Sequence, residues 1–257
     1  MHQIIRKTVM SLLLVVLVAG CGAHRLHQAQ EMYNQAAQIE AQASLEDGEA
    51  TGDPLDVQAL HQYRLARSLA DEALDKHGRD LRADQLYGTA LVLKALCEWR
   101  IAALDENVDS AAVREIVAGI GERAEAEEIA LGTRDRVLLA ALPGLTEHAR
   151  GLRELDPQRA GALFESALET MENALTAVDP PADHPVRIYI RLAQLRTLRA
   201  WSHVAYDDPP PGMDEDRWDQ LWIARYRKYR DRLESLRGAN PRVEQLLRKM
   251  DFDFGVE

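Results

Sequence analysis

The sequence predicts an all-α chain of antiparallel helix hairpins, and three observations carry that prediction. Apolar residues recur three and four apart in every long segment, the spacing of one helical face. Glycine and proline clusters punctuate those segments, while no stretch shows the two-residue alternation of a half-buried strand. The chain is 46% hydrophobic and 28% charged, the balance of a folded domain rather than a disordered one.

The first segment is not part of that domain. Arg6 and Lys7 precede an apolar run from Val9 to Val18, interrupted only by Ser11, and Val18-Ala19-Gly20-Cys21 follows. The run is shorter than the ~20 apolar residues of a permanent span and has the proportions of a secretory signal. Together these residues resemble the bacterial lipoprotein signal, in which small residues precede a cysteine that is lipidated before cleavage on its amino side. The resemblance implies removal of residues 1–20 and a mature chain anchored by acyl groups, palmitate among them, on Cys21. Gly22 stands where the family's inner-membrane retention signal has Asp, which implies the periplasmic face of the outer membrane. Residues 21–257 then read as a single helical domain, with a sub-boundary at 179–185 and a proline-rich break at 207–212.

A first helix from His24 to about Leu45 is expected from Met32, Ala36, Ile39 and Ala43. Gly48, Gly52 and Pro54 break the chain between Glu46 and Pro54. A second helix, about Asp56 to Lys76, carries Ala59, Tyr63, Ala66, Ala70 and Ala73 on one face, with His77-Gly78 as its stop. The third, about Leu81 to Leu104, is apolar on two sides through Leu86, Ala90, Leu93, Cys97, Ile101 and Val92, Leu96, Trp99, which predicts burial between neighbours. Asp105, Asn107 and Asp109 alternate like a calcium loop, but Ser110 and Ile116 replace the glycine and glutamate such a loop needs, so they read as a polar turn. A weak helix from Ala111 to Ala130 is interrupted by Gly119-Ile120-Gly121.

The next helix, about Arg134 to Leu155, has Leu138, Leu139, Leu142, Leu145 and Leu152 inward and Pro143 as a kink or boundary. Asp156-Pro157 reads as a cap and first-turn proline for a helix to Val178 bearing Ala160, Phe164, Ala167, Met171 and Leu175. Asp183 is the expected cap of a helix from His184 to Ala205. After Pro209-Pro210-Pro211-Gly212 comes a helix from Asp214 to Leu236, and after Gly238 a short one from Asn240-Pro241 to Met250. The small-large-small triplets Ala59, Tyr63, Ala66 and Ala160, Phe164, Ala167 resemble the second helix of a tetratricopeptide repeat. No strict 34-residue period accompanies them. A tetratricopeptide-like array and an irregular helical array both remain open.

Charge and motifs narrow the function. Residues 21–184 hold 15 Lys and Arg against 30 Asp and Glu, whereas residues 185–257 hold 14 against 12. So acidic a body argues against nucleic acid as a partner, because phosphate contacts need a basic surface. Cys97 is the only cysteine besides Cys21, and its place on an apolar stripe reads as a small buried hydrophobe. His24 with His27, and His203 with Asp207, lack the further ligands a metal needs. Gly119, Gly121 and Ala124 match a dinucleotide loop in spacing but have no strand before them. No nucleophile elbow, zinc helix or phosphate loop occurs, so neither a cofactor, a metal nor an enzymatic activity is predicted.

The densest chemical feature is the stripe Trp218, Trp222, Tyr226, Tyr229, Leu233 and Leu236, flanked by arginines that include Arg225. Exposed, Trp218, Trp222, Arg225, Tyr226 and Tyr229 would make a partner surface, since Trp, Tyr and Arg dominate binding hot spots. Buried, the stripe would be the inner face of a terminal helix, which its leucines favour. The expected function is a lipid-anchored scaffold or adaptor that holds an envelope protein. The alternatives are a solute-binding accessory of envelope transport, with Trp201, Trp218, Trp222 and Tyr226 around a small molecule, and a glycan-acting enzyme.

Overall fold

A computed structural model describes residues 21–43, 54–105, 110–205 and 213–256. Nine helices and no strand occur among the described residues. They are α1 (Cys21–Ala43), α2 (Pro54–Ala83), α3 (Tyr87–Leu104), α4 (Ser110–Ala126), α5 (Thr133–Gly151), α6 (Pro157–Val178), α7 (Pro185–Ala205), α8 (Glu215–Glu234) and α9 (Pro241–Asp253). The chain divides into two compact units, Met1–Asp135 and Arg136–Glu257, with the division in the first turn of α5. The 179–185 segment lies inside the second unit. The expected breaks at 46–53 and 207–212 and the polar turn at 106–109 lie outside the described residues.

In the first unit α1 and α2 form an antiparallel hairpin with a seam of small residues. Gly22, Leu26, Ala29 and Ala36 face in from α1, and Ala59, Tyr63, Ala66, Ala70 and Ala73 from α2. Alanine-sized side chains let two helix axes approach closely, and Tyr63 is the large buried residue among them on α2. Its hydroxyl donates to Glu40 Oε2 at 2.9 Å, and its ring meets Tyr33 edge-on at 5.2 Å. Helix α3 packs antiparallel against α2 and is buried nearly all round, as its two apolar stripes predict. Three ion pairs join α2 to α3: Arg64 with Asp105, Arg67 with Glu98 at 3.4 Å, and Asp71 with Lys94 at 2.6 Å.

Several expected boundaries move. The regular course of helix α2 breaks at His77-Gly78, where the stop is expected, but a further helical stretch follows directly. His77 takes a non-helical conformation (φ −125°, ψ 15°), the helix bends there and continues to Ala83. Gly78 serves close approach instead, because a Cβ on it would lie 3.2 Å from the Tyr87 ring. The turn comes at Gln85, in the left-handed region at φ 59°, with Leu86 N–H donating to Leu81 O at 2.7 Å. Hence α3 starts at Tyr87, not Leu81. Helix α4 runs unbroken through Gly119 and Gly121, since Val113, Val117, Ile120 and Ala124 give it a continuous buried face.

In the second unit α5 also passes through its proline, Pro143, without a boundary. Two glycines set its contact with α6. A Cβ on Gly144 would lie 2.8 Å from Ala167 O, and one on Gly151 would lie 2.7 Å from the Phe164 ring. The helix ends at Gly151 rather than Leu155, which leaves Leu152 59% exposed instead of on its inner face and Leu155 beyond it at 96%. Asp156 caps α6 as expected, accepting from Gln158 N–H at 2.9 Å and Arg159 N–H at 3.3 Å. The cap of α7 is His184 rather than Asp183: its Nδ1 accepts from Val186 N–H at 3.2 Å. Asp214 caps α8 by accepting from Arg217 N–H at 2.8 Å, and Asn240 holds the start of α9 through Val243 N–H at 3.3 Å.

Candidate functional site

The residues singled out in the sequence fall in two places. Cys21 is exposed at the start of α1 in the first unit. The residue after it is already packed: Gly22 is buried, and a Cβ there would lie 2.9 Å from His77 Cβ and 3.5 Å from Leu81. No slack separates Cys21 from the hairpin.

The aromatic stripe of α8 lies in the second unit, and its centre is inside. Trp222 and Tyr226 are 1% and 0% exposed, Trp218 and Leu233 are buried, and Arg225 and Tyr229 are half-buried. The spacing of four between 218, 222 and 226 puts these rings on one face, and α7 and α9 cover them. Trp222 is met edge-on by Trp201 at 5.2 Å and by Trp218 at 5.5 Å, while Tyr226 stacks on Phe254 at 4.9 Å. Arg225 lies over the Trp201 and Trp222 rings at 4.4 and 4.9 Å, a cation–π seat, and burial lowers its pKa. The Tyr226 hydroxyl donates to Asp251 at 2.6 Å; burial, then that hydrogen bond, pushes its pKa well up. The indole nitrogen of Trp222 is buried without a hydrogen-bond partner. Trp201, Trp218, Trp222 and Tyr226 thus pack on one another as core, with Leu195, Leu198, Leu247 and Met250 beside them.

The second unit also holds a charged cluster that sequence reasoning missed. Glu172 of α6 faces Arg191 of α7 and Arg232 of α8. It accepts from Arg191 through both oxygens, from Arg232 Nη1 at 2.5 Å and from Gln194 Nε2 at 3.1 Å. Gln194 is fully buried and also accepts from Arg191 at 2.8 Å. Burial alone would raise the Glu172 pKa, but the hydrogen bonds from Arg191 and Gln194 and the charges of Arg191 and Arg232 outweigh it and hold the carboxyl at about 2. Beside the cluster a half-open cleft of about 240 Å³ is lined by Ala182, Arg187, Ile188, Arg191, Arg232 and Leu233. Arg187 donates to Pro180 O and to Asp179 at 3.3 Å. Three guanidiniums against Glu172 and the exposed Asp179 leave the cleft with a positive balance. The signal in the sequence was Arg191 and Gln194, polar residues on the same face of α7 as the buried Leu195 and Leu198.

Cys97 is buried, and burial, then the adjacent Glu98, raises its thiol pKa far above neutrality. His27 lies 3.3 Å from Glu31, and no group of three or more metal-ligating side chains converges among the described residues. No protein-family model, curated protein or solved structure matches this chain.

Proposed function

We propose that this protein is a lipid-anchored helical scaffold or adaptor that holds a protein partner at the periplasmic face of the outer membrane. The observation that carries the reading is Cys21. It ends a basic, apolar, small-residue signal in the sequence and is exposed at the head of a packed helix. Two units of paired helices follow on that anchor, and tethering raises a partner's local concentration without any chemistry of its own. With the aromatic stripe inside, the large apolar side chains offered to a partner by the second unit are Leu152, Leu155, Tyr189 and Phe252.

Crosslinking in intact cells, purification and mass spectrometry of the native chain against Leu152→Ser/Leu155→Ser test this reading. One envelope protein captured by the native chain and lost from the folded variant supports it. Recovery of no specific protein with either counts against it. A Cys21→Ser chain that stays particulate with an intact signal would remove the anchor from the reading. A second reading, solute capture for envelope transport, is favoured by the arginine-lined cleft. It requires saturable binding of an anionic solute that is lost in Arg187→Gln/Arg232→Gln.

A further inference from the structure

We infer that the first unit stands end-on to the membrane, with the start of α1, the end of α2 and the start of α3 against the phospholipid headgroups. The inference rests on lipidation of Cys21 and adds an orientation to it. A flexible linker would let the body tumble beneath its anchor; this chain has none. Cys21 is helical, and Gly22 sits in the α1–α2 seam with its backbone against His77 and Leu81. The thioether and glycerol of a lipidated cysteine are only a few bonds long, so whatever surrounds Cys21 must follow it to the bilayer surface.

The antiparallel topology decides what surrounds it. His77 and Leu81 bring the end of α2 beside the start of α1, and Tyr87, against Gly78, brings the start of α3. Arg123 donates to the Tyr87 hydroxyl at 2.6 Å and pairs with Glu127, as Arg82 does, so the end of α4 closes the same end. The alternative, α1 lying flat, lacks a driving force. Besides Cys21, the exposed residues among its described side chains are His24, His27, Glu31, Asn34, Gln35 and Gln38, without the apolar or basic face of an interfacial helix. At the anchored end Arg79 and Arg82 are exposed, and Glu127 neutralises part of their charge. Headgroup attraction is therefore weak, and the short leash sets the orientation.

The test uses the full lipidated chain in vesicles of phosphatidylethanolamine and phosphatidylglycerol carrying a headgroup nitroxide. A fluorophore is placed at Arg79→Cys or at Val57→Cys. Both positions are exposed and lie on α2, where the straight part from Val57 to the bend at His77 alone spans about 30 Å at 1.5 Å per residue. Quenching at 79 is expected to exceed that at 57 by about threefold or more over such a separation. A 12-residue Gly-Ser insertion between Cys21 and Gly22, with a span of about 19 Å, is expected to erase that preference while the chain still floats with the vesicles. Equal quenching at the two positions, or stronger quenching at 57, in a chain whose mass shows the lipid and which floats, overturns the orientation and leaves the anchor standing. A chain that carries no lipid and does not float overturns both.

Discussion

Replacement of Glu172 by Gln tests whether one carboxylate holds three helices of the second unit together. Its carboxyl sits at about 2 against an ordinary 4.5. Taken whole, a depression of that size corresponds to about 3 kcal/mol at neutral pH. Glu172 and Arg232 are 31% and 30% exposed, so solvent screening reduces that to about 1–2 kcal/mol. Arg191 is only 9% exposed, and stripping the partner from a buried charge adds to the loss, with 3–5 kcal/mol as the ceiling for a fully buried pair. The expected destabilisation is about 2–3 kcal/mol, or about 6–10 °C in the transition of this unit. Urea unfolding of a soluble Cys21→Ser chain, followed by tryptophan fluorescence, reads it, because three of the four tryptophans lie in this unit. The folded pKa lies below the unfolded one, so the stabilisation is full above about 4.5 and disappears as the pH falls towards 2. The gap between parent and variant must therefore narrow over that window. A gap below about 0.5 kcal/mol at pH 7, within the range of ordinary surface substitutions, or one that widens in acid, refutes the reasoning.

Glycine positions give a contrast within one helical protein. Gly151→Ala should destabilise by about 1–3 kcal/mol in thermal melts, because its Cβ meets the Phe164 ring at 2.7 Å, whereas Gly119→Ala, in open space on α4, should stabilise by about 0.5–1 kcal/mol. Trp222→Ala, which empties a site 1% exposed, should cost about 3–5 kcal/mol in urea unfolding; a near-neutral result would mean that the stripe is not core. Cys97 should resist iodoacetamide in the folded chain at pH 8 and react at once in denaturant, as mass spectrometry of the alkylated chain would record.

Where the sequence carried a local cause, the helices fell where periodicity placed them. Asp156-Pro157 marks the start of α6 because the aspartate accepts from the first-turn amides and the proline has no amide to satisfy. The two faces of α3 predicted its burial. The turn between α2 and α3 was illegible because a left-handed glutamine, Gln85, makes it, while the nearby glycine that looked like a stop is used for contact with Tyr87. Gly119 and Gly121 misled in the same way: the buried face of α4 outweighs their low helix propensity. The burial of Trp222 and Tyr226 agrees with the leucines that share their stripe. Glu172 was hidden because its partners come from two other helices, and only the placing of Arg191 and Gln194 beside leucines hinted at it.

The three ion pairs between α2 and α3 also act as a ratchet. Their order along the two helices limits which residues of α2 and α3 can lie opposite one another. A slip of one turn in one direction brings Lys94 towards Arg67, and a slip in the other brings Glu98 towards Asp71. Each displacement sets one like-charge pair face to face, and in the second of them Glu98, being buried, would have little water to relieve it. The registration of α3 on α2 is thus written in the sign of charge along α2, positive at Arg64 and Arg67 and negative at Asp71.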